Sequence, residues 1–152
     1  MLDIKKLKRL RNDTGISIAL CKKALEQSGN DLKKAKKLLS DWGIEKVKDK
    51  IDRITSEGSI FSYVHHNKKI ASLIEILCET DFVAKNSELQ KLGQGLSMQI
   101  ASIPAKNVGE LMNQDYIRDP SKKITNLIQE AIVKFGENIK IGRFLRWELG
   151  EI

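Results

Sequence analysis

Carboxylate, imidazole and thiol side chains are the groups in this 152-residue chain from which chemistry could be built. Glu75, Glu79 and Asp81 look like a carboxylate cluster. General acid–base work needs two such groups facing one reacting bond. Glu75 falls in an expected strand and Glu79 at its end, so no facing pair is specified. His65 and His66 are adjacent at an expected hairpin turn, where solvation is the simpler role. Cys21 and Cys78 lie far apart in apolar patterns, form no Cys-x-x-Cys pair and stand at no zinc-finger spacing from the histidines. Buried thiols, with neither a disulfide nor a metal, are the expectation. No phosphate-binding Gly-x-x-x-x-Gly-Lys-Ser/Thr loop, dinucleotide fingerprint or Gly-x-Ser-x-Gly elbow occurs. The inventory points to a binding protein without a cofactor rather than to an enzyme.

The most unusual segment is Cys78-Glu79-Thr80-Asp81-Phe82-Val83-Ala84-Lys85-Asn86. A strand ends, an acid and an aromatic ring follow, and a helix begins at once. In one reading Asp81 caps that helix and Phe82 staples it to the core. In the other, Asp81-Phe82 is a protruding wedge whose ring enters a crevice of a partner. The pattern leaves both open.

Charge narrows the partner. The net charge is +7, and all of the excess lies in residues 1–50, which carry 14 Lys/Arg against 7 Asp/Glu. Such a module favours nucleic acid or an acidic protein face. Aromatic interleaving, which single-stranded nucleic acid would exploit, is limited there to Trp42. An RNA-associated protein is therefore the second reading. With 41% hydrophobic and 31% charged residues the chain has the composition of a soluble globular protein. It lacks an apolar run of membrane-spanning length and a recognisable leader, so a cytoplasmic address is expected.

The elements that must position these residues follow from periodicity. Ile4, Leu7 and Leu10 recur at helical spacing behind Asp3, a suitable N-cap. Ser17 caps a second helix whose Ile18, Cys21 and Leu25 form a core stripe. Asp31 caps a third, bearing Leu32, Ala35, Leu38, Leu39 and Trp42, with Gly43 as its expected C-cap. Residues 1–43 thus read as a three-helix unit, 44–57 as a charged connecting helix or linker, and 58–152 as an α+β core. In the core, Gly58–Val64 and Ile70–Leu77 read as a β-hairpin. Ala84–Ile103 reads as one helix stopped by Pro104. Residues 105–121 read as a loop with a short helical piece at Val108–Met112. Ser121 is the expected cap of a last helix closed by Gly136. Ile139–Leu149 reads as a strand, with Ile141, Arg143, Leu145, Trp147 and Leu149 on one face. The order implies an antiparallel sheet covered by helices.

Several blocks together resemble the elongation factor Ts family. They are Leu10–Gly15, Cys21–Leu25, Asn30–Ala35, Glu57-Gly58, His65-His66, Thr80–Asn86, Tyr116–Lys122, Gly136–Ile139 and Arg143–Arg146. They cover nearly the whole chain in the family's order. The resemblance implies a non-catalytic guanine-nucleotide exchange factor for the GTPase elongation factor Tu. It also implies a ubiquitin-associated-like N-terminal bundle that docks through Ile18, Ala19 and Lys22. Thr80, Asp81, Phe82 and Val83 match the stretch implicated in dislodging the GTPase's Mg²⁺. Two departures stand out. Ile16-Ser17-Ile18-Ala19-Leu20 replaces a common Ala-Gly-Met-Met-Asp, and the stretch from Ile103 to Tyr116 lacks a longer helical excursion. A single core half also leaves a sheet edge that a second copy, in a homodimer, could cover.

Overall fold

The computed structural model describes residues 1–151, so Ile152, the last residue of the expected core unit, lies outside the described residues. The chain is α+β: three packed N-terminal helices, then an antiparallel sheet contacted by helices. No helix among the described residues is long and apolar enough to cross a membrane.

Local capping chemistry defines the first helices. Asp3 accepts the N–H groups of Lys5 and Lys6 to open α1 (Ile4–Thr14), and Gly15 closes it in the left-handed conformation. Ser17 caps α2 (Ile18–Gln27), and Asp31 accepts the N–H of Lys34 to start α3 (Leu32–Lys50). Leu10, Cys21, Ala24, Leu25, Ala35 and Leu39 form the core of this bundle. Ile18 is not part of it; its side chain is half exposed.

The expected stop at Gly43 does not occur. Helix α3 runs through it to Lys50 and so includes half of the stretch read as a connection. Gly43 is buried beneath Val133, and a Cβ at this position would stand 2.8 Å from Val133 Cγ2. The glycine therefore permits close helix packing instead of ending the helix.

A second cluster fills the core unit. Strands β1 (Glu57–Val64) and β2 (Ile70–Cys78) form the expected hairpin, with Phe61 opposite Ile74. A one-turn helix α4 (Asp81–Ala84) follows, and then α5 (Ser87–Ser102). The single helix expected from Ala84 is thus broken at Lys85-Asn86, because Asn86 caps α5 by accepting the N–H of Glu88. Helix α5 lies against the hairpin, and Gly93 leaves room for the Phe61 ring to rest on its backbone. The loop region holds α6 (Val108–Asn113) and a small β3–β4 pair (Asp115–Tyr116, Asp119–Lys123) that periodicity did not reveal. Fully buried Gln99 fixes this pair to α5. It donates to Gln114 Oε1 and the Asp115 carbonyl, and accepts the N–H of Ile117.

Helix α7 (Ile124–Phe135) closes at Gly136 as expected, but Ser121 does not cap it. Ser121 lies in β4 and donates to Asp119, while Asn126 accepts the N–H of Lys123 at the helix start. Strand β5 (Lys140–Glu148) then pairs with β2, giving the order β1-β2-β5. A register shift between Ile74 and Ile76 changes the expected alternation. Ile141 faces the core, whereas Arg143, Leu145 and Trp147 face outward and Phe144 packs inward. Helices cover the inner face only, which leaves Ile60, Val64, Leu73, Leu145 and Trp147 exposed on the other.

Candidate functional site

Thr80 starts α4, and its hydroxyl accepts the N–H of Val83. Because Thr80 is the N-cap, Asp81 is released from that task. The consequence is directional. Val83 and Ala84 turn into the core, while Asp81 and Phe82 project on the opposite side. Phe82 is 85% exposed. Among the described residues, the Asp81 carboxylate is paired with Lys85 alone, one turn on and 3.7 Å away, with both groups well solvated.

A one-turn helix has too few internal hydrogen bonds to hold itself. Its support comes from the α7–β5 connection. Glu137 Oε1 accepts the N–H groups of Glu79 and Thr80, and Oε2 accepts the Thr80 hydroxyl at 2.6 Å. Just before it, Cys78 is fully buried and donates its thiol hydrogen to the Thr80 carbonyl. Burial pushes that thiol above its ordinary value, with the Glu137 charge adding to the effect.

The four candidate residues of this segment therefore divide into two pairs. Asp81 and Phe82 are presented to solvent, while Thr80 and Val83 anchor them. Sequence reading missed Glu137 as a contributor. Its partners lie 57 and 58 residues away, and no local pattern announces such a contact.

The N-terminal candidates form a second surface. Ile18, Ala19 and Lys22 are all exposed along α2. Lys22 stands 4.0 Å from Glu26, a loose and solvated pairing that leaves the ammonium accessible. Trp42 is half-buried against the bundle core, and the Lys23 ammonium stands 5.2 Å from its ring centre. Cys21, beneath α2, is fully buried, and desolvation raises its pKa. A cleft of about 450 Å³ lies elsewhere, between the bundle and α7, lined by Thr14, Lys36, Gly43, Glu130 and Val133. None of the candidate residues lines it. Among the described residues, no three His, Cys, Asp or Glu side chains are grouped to hold a metal ion.

An outward ring on an anchored turn, placed on this fold, can be compared with known proteins. Residues 79–152, which begin at the Glu79 anchor, match the family model described as elongation factor TS. Across 190 residues the chain is 35% identical to the elongation factor Ts of Coprothermobacter proteolyticus, covering 95% of this chain and 96% of that protein. The chain belongs to the elongation factor Ts family. It is also 35% identical over 196 residues to the elongation factor Ts of Thermosipho melanesiensis, covering 99% of this chain and all of the relative. Both alignments are longer than this 152-residue chain, so these relatives carry a few dozen residues that this chain lacks. The Aquifex aeolicus elongation factor Ts is 40% identical over 147 residues, which span 93% of this chain but 51% of that longer protein. The family members are exchange factors rather than enzymes.

Proposed function

We propose that this chain accelerates the release of GDP from elongation factor Tu by pressing Phe82 and Asp81 against the surroundings of the GTPase's Mg²⁺. The observation that carries the reading is the 85% exposure of Phe82 on a turn whose neighbours are buried. An aromatic ring left in water at that place costs free energy unless a partner covers it. Covering it yields about 2 kcal/mol. If that gain is realised only as the nucleotide leaves, it corresponds to about thirtyfold in rate. Asp81 supplies a carboxylate that competes for the polar groups and cation around the phosphates.

The exposed Ile18, Ala19 and Lys22 form the dock that brings the wedge to its target, and the basic charge of residues 1–50 favours an acidic face there. The partner that binds the emptied GTPase more tightly than the loaded one is in turn displaced by nucleotide. The exchange therefore proceeds without a nucleotide, metal or cofactor bound to this chain. Its place of work is the cytoplasm, where translation factors meet.

Two separate hydrophobic clusters support a division into an N-terminal docking unit, ending near Gly43, and a core unit from Gly58. The unpartnered sheet face, with Ile60, Val64, Leu73, Leu145 and Trp147, supports a homodimer in which the sheets of two copies pack together. The RNA-associated reading gains nothing from Trp42, whose ring is engaged within the bundle. Release of labelled GDP from elongation factor Tu, with the native chain and with Phe82→Ala, tests the wedge directly.

A further inference from the structure

The hydrogen bonds around Glu137 join three connections that are distant in sequence. Glu137 holds the N–H groups of Glu79 and Thr80 and the Thr80 hydroxyl. The grip is returned, because Glu79 Oε1 accepts the N–H of Asn138 at 2.7 Å. Buried Asn138 then donates through Nδ2 to the carbonyls of Ile51 and Arg53, where the chain leaves α3. The Arg53 guanidinium stands 3.6 Å from Glu79 Oε1 and closes the circuit.

We propose that Glu137 is a positioning residue for nucleotide exchange, acting through Thr80 on the direction in which Phe82 projects. This inference rests on the reading of Phe82 as the wedge. Three donors converge on one carboxylate, and charge-assisted bonds of this kind are the strong ones. They fix the N-cap of a helix only four residues long, so the whole turn inherits the setting of Thr80. Without Glu137, Val83 and Ala84 still anchor one side, but the N-terminal end of the turn is free to rotate. Phe82 then spreads over several directions, and only a fraction of molecules arrive with the ring correctly aimed. The dock on α2 is remote from this change. Loss of aim therefore lowers the maximal rate of GDP release more than it raises the concentration needed for half of that rate.

The test measures release of fluorescent GDP from elongation factor Tu against the concentration of the full chain, for Glu137→Ala, Glu137→Gln, Phe82→Ala and the Glu137→Ala/Phe82→Ala pair. Glu137→Ala is expected to lower the maximal rate about tenfold while the half-saturating concentration stays within about twofold. Glu137→Gln keeps an oxygen for the two N–H donors and should recover most of the rate. In the Phe82→Ala background, Glu137→Ala should cost less than about twofold more, because the residue it aims is gone. A full-rate Glu137→Ala, or an equal loss in both backgrounds, overturns the inference. If Glu137→Ala fails to fold, Glu137→Leu, which keeps the side-chain bulk but offers no acceptor to Glu79 and Thr80, takes its place under the same criteria. An unchanged rate for Phe82→Ala alone defeats the wedge itself and this inference with it. A slowed Phe82→Ala beside an unaffected Glu137→Ala defeats only the role of Glu137.

Discussion

Gly43 and Val133 meet with no side chain between them, since a Cβ on Gly43 would lie 2.8 Å from Val133 Cγ2. The contact joins α3 of the N-terminal helices to α7, and α3 passes through it unbroken. Because Gly43 is buried at this contact, the close approach of the two helices depends on its lack of a side chain.

The first expected outcome concerns its sign. Gly43→Ala gains about 1 kcal/mol of helix propensity. It also drives a methyl group into Val133, which costs about 1–3 kcal/mol in a packed site. The single change should therefore destabilise in urea unfolding. In a Val133→Ala background the obstructing methyl is absent, and the same change should stabilise. The same sign in both backgrounds would mean that the contact does not constrain the helices.

Acid should weaken the tie between α5 and α7. The Glu88 carboxylate stands 3.3 Å from Lys134 and 3.6 Å from Lys91, and the hydrogen bond from Lys134, ahead of the charges of both lysines, lowers its pKa below the ordinary 4.5. The hydrogen bond from Lys36, ahead of its charge, likewise lowers Asp13 below 3.8. A folded-state pKa below the unfolded value stabilises above the unfolded value, and the benefit is lost as pH falls through the folded one. Glu88→Gln should then unfold earlier than the native chain at about pH 7, with the gap closing toward about pH 3. Both carboxylates are solvated, so the gap is small. A gap of equal size at both pH values would contradict the assignment.

The open sheet face should report itself in the molecular mass. Trp147 lies opposite Ala71 and Leu145 opposite Leu73, so the exposed apolar side chains are contiguous across two strands. Sedimentation of the native chain at tens of micromolar is expected to show a dimer, and Leu73→Glu should return a folded monomer whose melting temperature, unlike that of the native chain, does not rise with concentration. A native chain that sediments as a monomer throughout that range would remove the dimer from the account.

Much of this molecule was legible from short-range signals. Asp3, Ser17 and Asp31 cap helices because their side-chain oxygens reach N–H groups two or three residues on, which is a local event. The hairpin was equally plain from its β-branched and aromatic runs. Gly43 misled because a glycine that ends a helix and one that admits a neighbouring helix look alike in sequence. Ser121 failed for a similar reason: it can cap, but β4 takes it up, and Asn126 receives the Lys123 N–H at the start of α7 instead. The alternation in β5 failed at a bulge, where two residues oppose one and the faces change over. At the candidate site the alternatives for Asp81 turned on a single neighbour. Thr80 took the cap, and Phe82 was left outside. The Glu137 anchor was illegible, because its bonds span more than fifty residues and depend on how β2 and β5 are paired.

The central claim is that the exposed ring of Phe82 does the work. It is tested most directly by timing GDP loss from elongation factor Tu at saturating concentrations of the native chain and of Phe82→Ala, with melting curves recorded for both. Because the ring packs against nothing in its own core, the two should melt alike. The release rate with Phe82→Ala should fall by about thirtyfold. Equal release rates from two equally folded proteins would contradict the account.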